Sequence, residues 1–153
     1  ENNPELFKIL ILDYPDIIYL DKSSVIIKGV KIYGIPDSHQ FFNWAFNKSQ
    51  KELDKIKEDI PLDVNILITH APAHGILDCL ENGERVGEPQ WTNRIPHLKD
   101  LKLHVSGHIH CAYGEQCVSF LGHNVPYTAI NASVVNEQYK LQNKPIIYDL
   151  QVG

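Results

Sequence analysis

Ser106-Gly107-His108-Ile109-His110 and, far upstream, Ile66-Leu67-Ile68-Thr69-His70 decide how this chain is read. Each closes an apolar, β-branched run with histidine. In an open α/β sheet the ligand crevice lies at the carboxyl ends of the strands, so both runs predict imidazoles delivered to one edge. A glycine ahead of His-x-His allows a sharp turn or a close backbone approach. Histidines two residues apart in extended backbone share a face, which would let His108 and His110 converge. Neutral imidazole is the commonest protein metal ligand. A lone histidine at a strand end is usually only solvated or hydrogen-bonded in place. The two segments taken together point to a metal site.

The bulk numbers fit that reading. At 153 residues the chain is long enough for one domain with a real core, and its 43% hydrophobic and 22% charged content is that of an ordinary globular protein. The formal charge is −5, with lysines and arginines scattered rather than clustered. That points away from a dedicated nucleic-acid binder, which carries a basic patch. An acidic protein still takes a phosphate ester when metal ions supply the positive charge. No apolar run approaches the ~20 residues that cross a bilayer, and no basic segment followed by an apolar one opens the chain as a signal peptide would. The expectation is a cytoplasmic protein without a membrane partner. Cys79, Cys111 and Cys117 are odd in number and form no C-x-x-C pair, so reduced thiols are expected. An alternative has Cys111 and Cys117 joining His108 and His110 around a structural zinc.

Along the chain, Asn3-Pro4 predicts a helix cap ahead of Glu5 to Leu12. Strands are expected at Ile17 to Leu20, Ser24 to Lys28 and Val30 to Ile35. The aromatic cluster Phe41 to Phe46 reads as core packing or a loop plug. Ser49-Gln50-Lys51-Glu52 is a capping box, opening a helix with the narrow stripe Leu53, Ile56 and Ile60. Val64 to Thr69 reads as a strand buried on both faces. A weak helix interrupted by Pro96 follows. The alternation through Leu101, Leu103 and Val105 puts His104 on the polar side, without a functional role. His74, His97 and His123 are likewise placed outside the site. Strands are expected at Val118 to Leu121, Tyr127 to Ala132 and Pro145 to Leu150. No βαβ repeat of a complete doubly wound domain stands out, and the pattern reads as a sheet layer with helical cover.

Tyr19-Leu20-Asp21-Lys22-Ser23-Ser24-Val25, Val30-Lys31-Ile32-Tyr33-Gly34, Asp63 to Ala71, Gly107-His108-Ile109-His110 with Tyr113-Gly114, Asn131-Ala132-Ser133 and Pro145 to Leu150 carry a specific resemblance. With these segments the chain resembles the C-terminal half of the calcineurin-like metallophosphoesterases, most closely the metallophosphoesterase domain-containing subfamily. The resemblance implies an α/β fold, part of a four-layer α/β/β/α sandwich around a two-metal centre. It implies hydrolysis of phosphate esters, with phosphodiesterase action on a nucleotide-like or cyclic-nucleotide small molecule. By position, His70 and His108 would bind the second metal and His110 the first, the ions being of the Mn, Fe or Zn type. Two such ions ~3.5–4 Å apart clamp a phosphate and activate water, and imidazole suits these metals.

The departure from the family pattern is large. Its Asp-x-His, Gly-Asp and Gly-Asn-His-Asp motifs are missing here. Asp37-Ser38-His39 has the spacing of the first motif but follows a strand resembling a later segment, and is read as coincidence. Gly122-His123-Asn124 reads as a hairpin loop. With no methionine in the chain, the expectation is that residues 1–153 are the C-terminal portion of one phosphoesterase domain and inactive alone. The rival readings are a non-catalytic nucleotide-binding or regulatory protein and the structural-zinc module.

Overall fold

The computed structural model describes residue 9 and residues 12–120 and 126–151. The expected helix over Glu5 to Leu12 and the Gly122-His123-Asn124 loop lie almost wholly outside them. A six-stranded mixed sheet organises the rest. Its strands are β1 (Ser23–Ile27), β2 (Val30–Ile35), β5 (Ile66–Thr69), β6 (Leu103–Ser106), β7 (Gly114–Val118) and β8 (Tyr127–Asn131), in the order β1-β2-β5-β6-β8-β7. The four central strands are parallel, and β1 and β7 close the two edges antiparallel. A short pair, β3 (Ser38–His39) with β4 (Asn47–Lys48), stands apart. The sheet makes the protein mixed α/β.

Local chemistry explains the elements. Lys28 and Gly29 join β1 to β2, and both lie at positive φ (50° and 80°), as a two-residue hairpin turn requires. The capping box forms: the Ser49 amide donates to Glu52 Oε2 at 2.8 Å, and the Glu52 amide donates to Ser49 Oγ at 3.4 Å. It opens helix α1 (Gln50–Glu58), whose Leu53 and Ile56 are buried, with Ile60 just beyond. A second helix, α2 (Pro89–Arg94), runs into a 3₁₀ turn at Ile95–His97, which accommodates Pro96. Because β2 pairs parallel with β5 and β5 with β6, α1 and α2 are crossover connections. The βαβ units are therefore present. Their helices are too short to be legible as repeats.

One face of the sheet carries the core. Tyr33, Leu67, His104 and Ala129 form a cross-strand row, all buried. Most of that row joins Leu53, Ile56, Trp91, Ile95 and Leu98 from the helical layer in one apolar cluster. His104 thus lies inside, 1% exposed, and not on a polar side as the alternation suggested. The crossover helices cover that face of the central strands, so His104 meets no solvent on its side. The neighbouring row, Gly34-Ile68-Val105-Ile130, lines the other face. Ile68 is 40% exposed there, so β5 is covered on one side only.

Three expected strands differ. Residues 17–20 are irregular, the strand expected at 118–121 runs over Gly114–Val118, and 145–150 is irregular. The closing segment is instead pinned by single bonds: Tyr113 Oη donates to the Lys144 carbonyl at 2.8 Å, and Tyr148 Oη lies 3.1 Å from Thr128 Oγ1. Among the described residues no helix is long and apolar enough to cross a membrane.

Candidate active site

Parallel pairing of β2, β5 and β6 brings their carboxyl ends together. Ile35 is level with Thr69, so the residues that follow emerge side by side. The His70 amide donates to the Ile35 carbonyl at 3.2 Å, and the Gly107 amide donates to the His70 carbonyl at 3.0 Å. These bonds lace the three loops. The His70 and His108 rings then face each other with centroids 4.5 Å apart.

The Gly-His-x-His turn has an unexpected geometry. Gly107 is not at positive φ, and a Cβ there would meet only Ser133 Oγ, at an ordinary 3.6 Å. The unusual residue is His108 itself, at φ 68°, where the Ile109 amide closes back on the Gly107 carbonyl at 2.8 Å. That is a three-residue turn with its centre on the left-handed side, a rare and strained form. His110 opens a 3₁₀ turn, His110–Ala112, so the pair is not in extended backbone. The His110 ring packs edge-on against Tyr139, 5.2 Å between centroids. Buried Asn131 fixes the turn by donating to the Ile109 carbonyl at 2.9 Å and the Leu77 carbonyl at 3.1 Å.

His70, His108 and His110 line a cavity of about 820 Å³, together with His39 and an aromatic wall that includes Phe41, Trp44 and Tyr139. The aromatic cluster is therefore not core: Phe41 and Trp44 are half exposed, and Trp44 stands edge-on to His108 at 6.5 Å. Burial lowers the His70 pKa. Burial, helped by the neighbouring histidines, lowers that of His108 to about 4. Both rings are neutral at physiological pH, the form that binds metal.

Comparison with known sequences supplies the family context. Metallophosphoesterase domain-containing protein 1 of Homo sapiens is 39% identical over 136 residues, covering 87% of this chain. A UPF0046 protein of Caenorhabditis elegans is 39% identical over 138 residues, 88% of this chain. The chain is a homologue of the metallophosphoesterase-domain proteins. A second Caenorhabditis elegans UPF0046 protein is 30% identical over 134 residues. The chain spans 40% of the length of the human relative and 33% of the first worm protein. No protein-family model matches it.

The donor chemistry of His70 and His108 suits a divalent metal of the kind this family's name implies. Their number does not close a site: among the described residues no set of three or more His, Cys, Asp or Glu side chains is gathered to hold an ion. The acids near this edge are committed elsewhere. Asp37, buried, faces Lys22 at 2.9 Å and Lys48 at 3.3 Å. Glu88, also buried, faces His39. The residues present fit part of a metal's donor set.

Other histidines and the thiols stand apart. His74 lies 3.5 Å from Asp78, and His97 sits in the 3₁₀ turn after α2. Cys111 and Cys117 are exposed and free, and the Cys111 thiol donates to the Cys79 carbonyl at 3.3 Å. Sequence reasoning missed His39 as a cavity residue. A signal existed, since it follows β2 by four residues and so leaves the same sheet edge as His70.

Proposed function

We propose that this chain contributes to a metal-dependent phosphoesterase site, acting as a phosphodiesterase on a small nucleotide-like substrate. The reading is carried by one observation: two imidazoles face each other 4.5 Å apart at the carboxyl edge of adjacent parallel strands, inside a cavity of ligand size. In this reading His70 and His108 hold one divalent ion and His110 another. Bound there, the ions supply positive charge to a phosphoryl group and activate water. The chain's own residues orient and enclose. Asn131 and the strained turn set the His108 ring, while Phe41, Trp44 and Tyr139 form an apolar wall that keeps water from one side of the ester.

Residues 1–153 are proposed to be the C-terminal portion of a four-layer sandwich, with further layers stacked on the sheet face where Ile68 is exposed. Ile68, an apolar side chain 40% exposed on a central strand, marks where that cover would lie. Three imidazoles bring no negative charge, so two close divalent ions would repel without carboxylates supplied elsewhere. The test pairs this chain with an upstream half carrying the three missing motifs. Metal content and turnover of a model phosphodiester are measured together. The expected result is metal-dependent turnover in the joined protein and none in the 153-residue chain. His70→Ala and His108→Ala should each abolish turnover with loss of one ion. Full turnover in the His108→Ala protein would overturn the reading.

A further inference from the structure

Beside the His70–His108 pair, the cavity holds a second polar arrangement. The His39 backbone amide donates to Glu88 Oε1 at 2.7 Å, and His39 Nδ1 lies 2.8 Å from the same oxygen. Glu88 is 0% exposed, while the His39 side chain is 45% exposed and lines the cavity. We infer that His39 is an oxyanion-binding residue of this cavity, held by Glu88 so that its Nε2 faces a phosphoryl oxygen of the bound ester.

A carboxylate can only accept, so Nδ1 carries a proton toward Glu88 and Nε2 is left for the cavity. Glu88 is rigidly placed for this task. Its amide donates to the Pro72 carbonyl at 2.8 Å, and its carbonyl accepts from the His74 amide at 3.1 Å, tying it to the loop that follows His70. It stands at the N-cap of α2, yet its side chain makes no capping bond there and turns back to His39. Glu88 Oε2 is buried without a hydrogen-bond partner among the described residues. Such a pair is a poor stabilising device, because a buried carboxylate loses more hydration than one imidazole restores. It makes sense as a means of orienting a ring. The hydrogen bond that His39 donates to Glu88 also raises the pKa of His39 above the usual imidazole value. The ring thereby favours the donor form. In the protonated ring the Nε2–H is a charge-assisted donor, which suits an oxyanion.

The inference rests on the proposal that a phosphate ester occupies this cavity, and the test separates the two. The chain, kept metal-free with a chelator, is titrated with inorganic phosphate while the imidazole ¹⁵N resonances are followed by NMR. Wild type should show phosphate-dependent shifts at His39 and at His108. His39→Ala should weaken phosphate binding by roughly tenfold, the worth of one charge-assisted hydrogen bond. Glu88→Gln should weaken it several-fold and move the His39 nitrogen shifts toward another tautomer, leaving those of His70 in place. Equal affinity in His39→Ala, with His108 still shifted by phosphate, would overturn the role of His39 and leave the phosphate reading standing. Unchanged His39 shifts and affinity in Glu88→Gln would overturn the positioning role. No phosphate-dependent shift at any cavity imidazole of the wild type would overturn the oxyanion role of His39 and leave the metal-dependent reading to the turnover test above. If Glu88→Gln does not fold, His39→Ala decides, since that side chain is half exposed.

Discussion

His104 ties the stability of the core to pH, and it does so one residue away from the site. Its Nε2 lies 2.8 Å from Thr69 Oγ1, whose hydroxyl lies 2.7 Å from the Ala71 carbonyl. A hydroxyl has one proton, and the carbonyl can only accept it. The bond from His104 must therefore be donated by Nε2–H, and acid has to add its proton at the opposite nitrogen inside the core. Burial lowers the pKa from 6.5 to about 4. The folded state binds this proton more weakly than the unfolded state, so stability is complete above pH 6.5 and falls as pH drops toward 4. The full difference of about 2.5 pKa steps corresponds to about 3 kcal/mol, of which about 2 kcal/mol is lost by pH 5. Urea unfolding from pH 8 to pH 5 measures it. His70 and His108 move in the same direction, so the informative quantity is the gap between wild type and His104→Asn. His104→Asn should be less stable than wild type at pH 8, and the gap should narrow by about 2 kcal/mol at pH 5. Parallel curves over that range would refute the burial argument.

Three further outcomes are expected. Gly87→Ala places a Cβ 2.8 Å from backbone atoms of Ala73 and His74; the loop after His70 must move, and the urea midpoint should fall by an amount worth roughly 1–3 kcal/mol. Asn131→Ala leaves the Ile109 and Leu77 carbonyls without their donor; a loss of about 3 kcal/mol is expected, with broadened His108 and His110 NMR signals showing a loosened turn. The 153-residue chain should bind a hydrophobic dye through the face that exposes Ile68, and Ile68→Glu should reduce the signal; a dye-silent wild type would count against an uncovered face.

What was legible in the sequence depended on local signals. The capping box at Ser49 and the apolar strands ending at His70 and Ser106 are each encoded within a few residues. The position of His39 just past β2 was a usable signal, but its role was not legible, because its partner Glu88 lies 49 residues away and β3 is only two residues long. His104 was misplaced because alternation assigns a polar residue to solvent, whereas a crossover-covered strand has none on that side. The closing Pro145 to Leu150 run has the composition of a strand, yet β7 already occupies the sheet edge beyond β8.

The turn at His108 shows how the fold sets an imidazole before any ligand arrives. A non-glycine residue at φ 68° costs of order 1–3 kcal/mol and persists only where its surroundings over-determine it. Here they do. The Gly107 amide is fixed to His70, the Ile109 carbonyl to Asn131, and the Ser106 carbonyl accepts from the Ala132 amide at 2.7 Å. Each anchor belongs to a neighbouring parallel strand or its end, so the sheet itself sustains the strain. A relaxed turn would leave the ring to sample several rotamers and require a ligand to order it. Holding the ring rigidly toward His70 moves that entropic cost from binding to folding, which is why the strain lies at His108 and not at the glycine beside it.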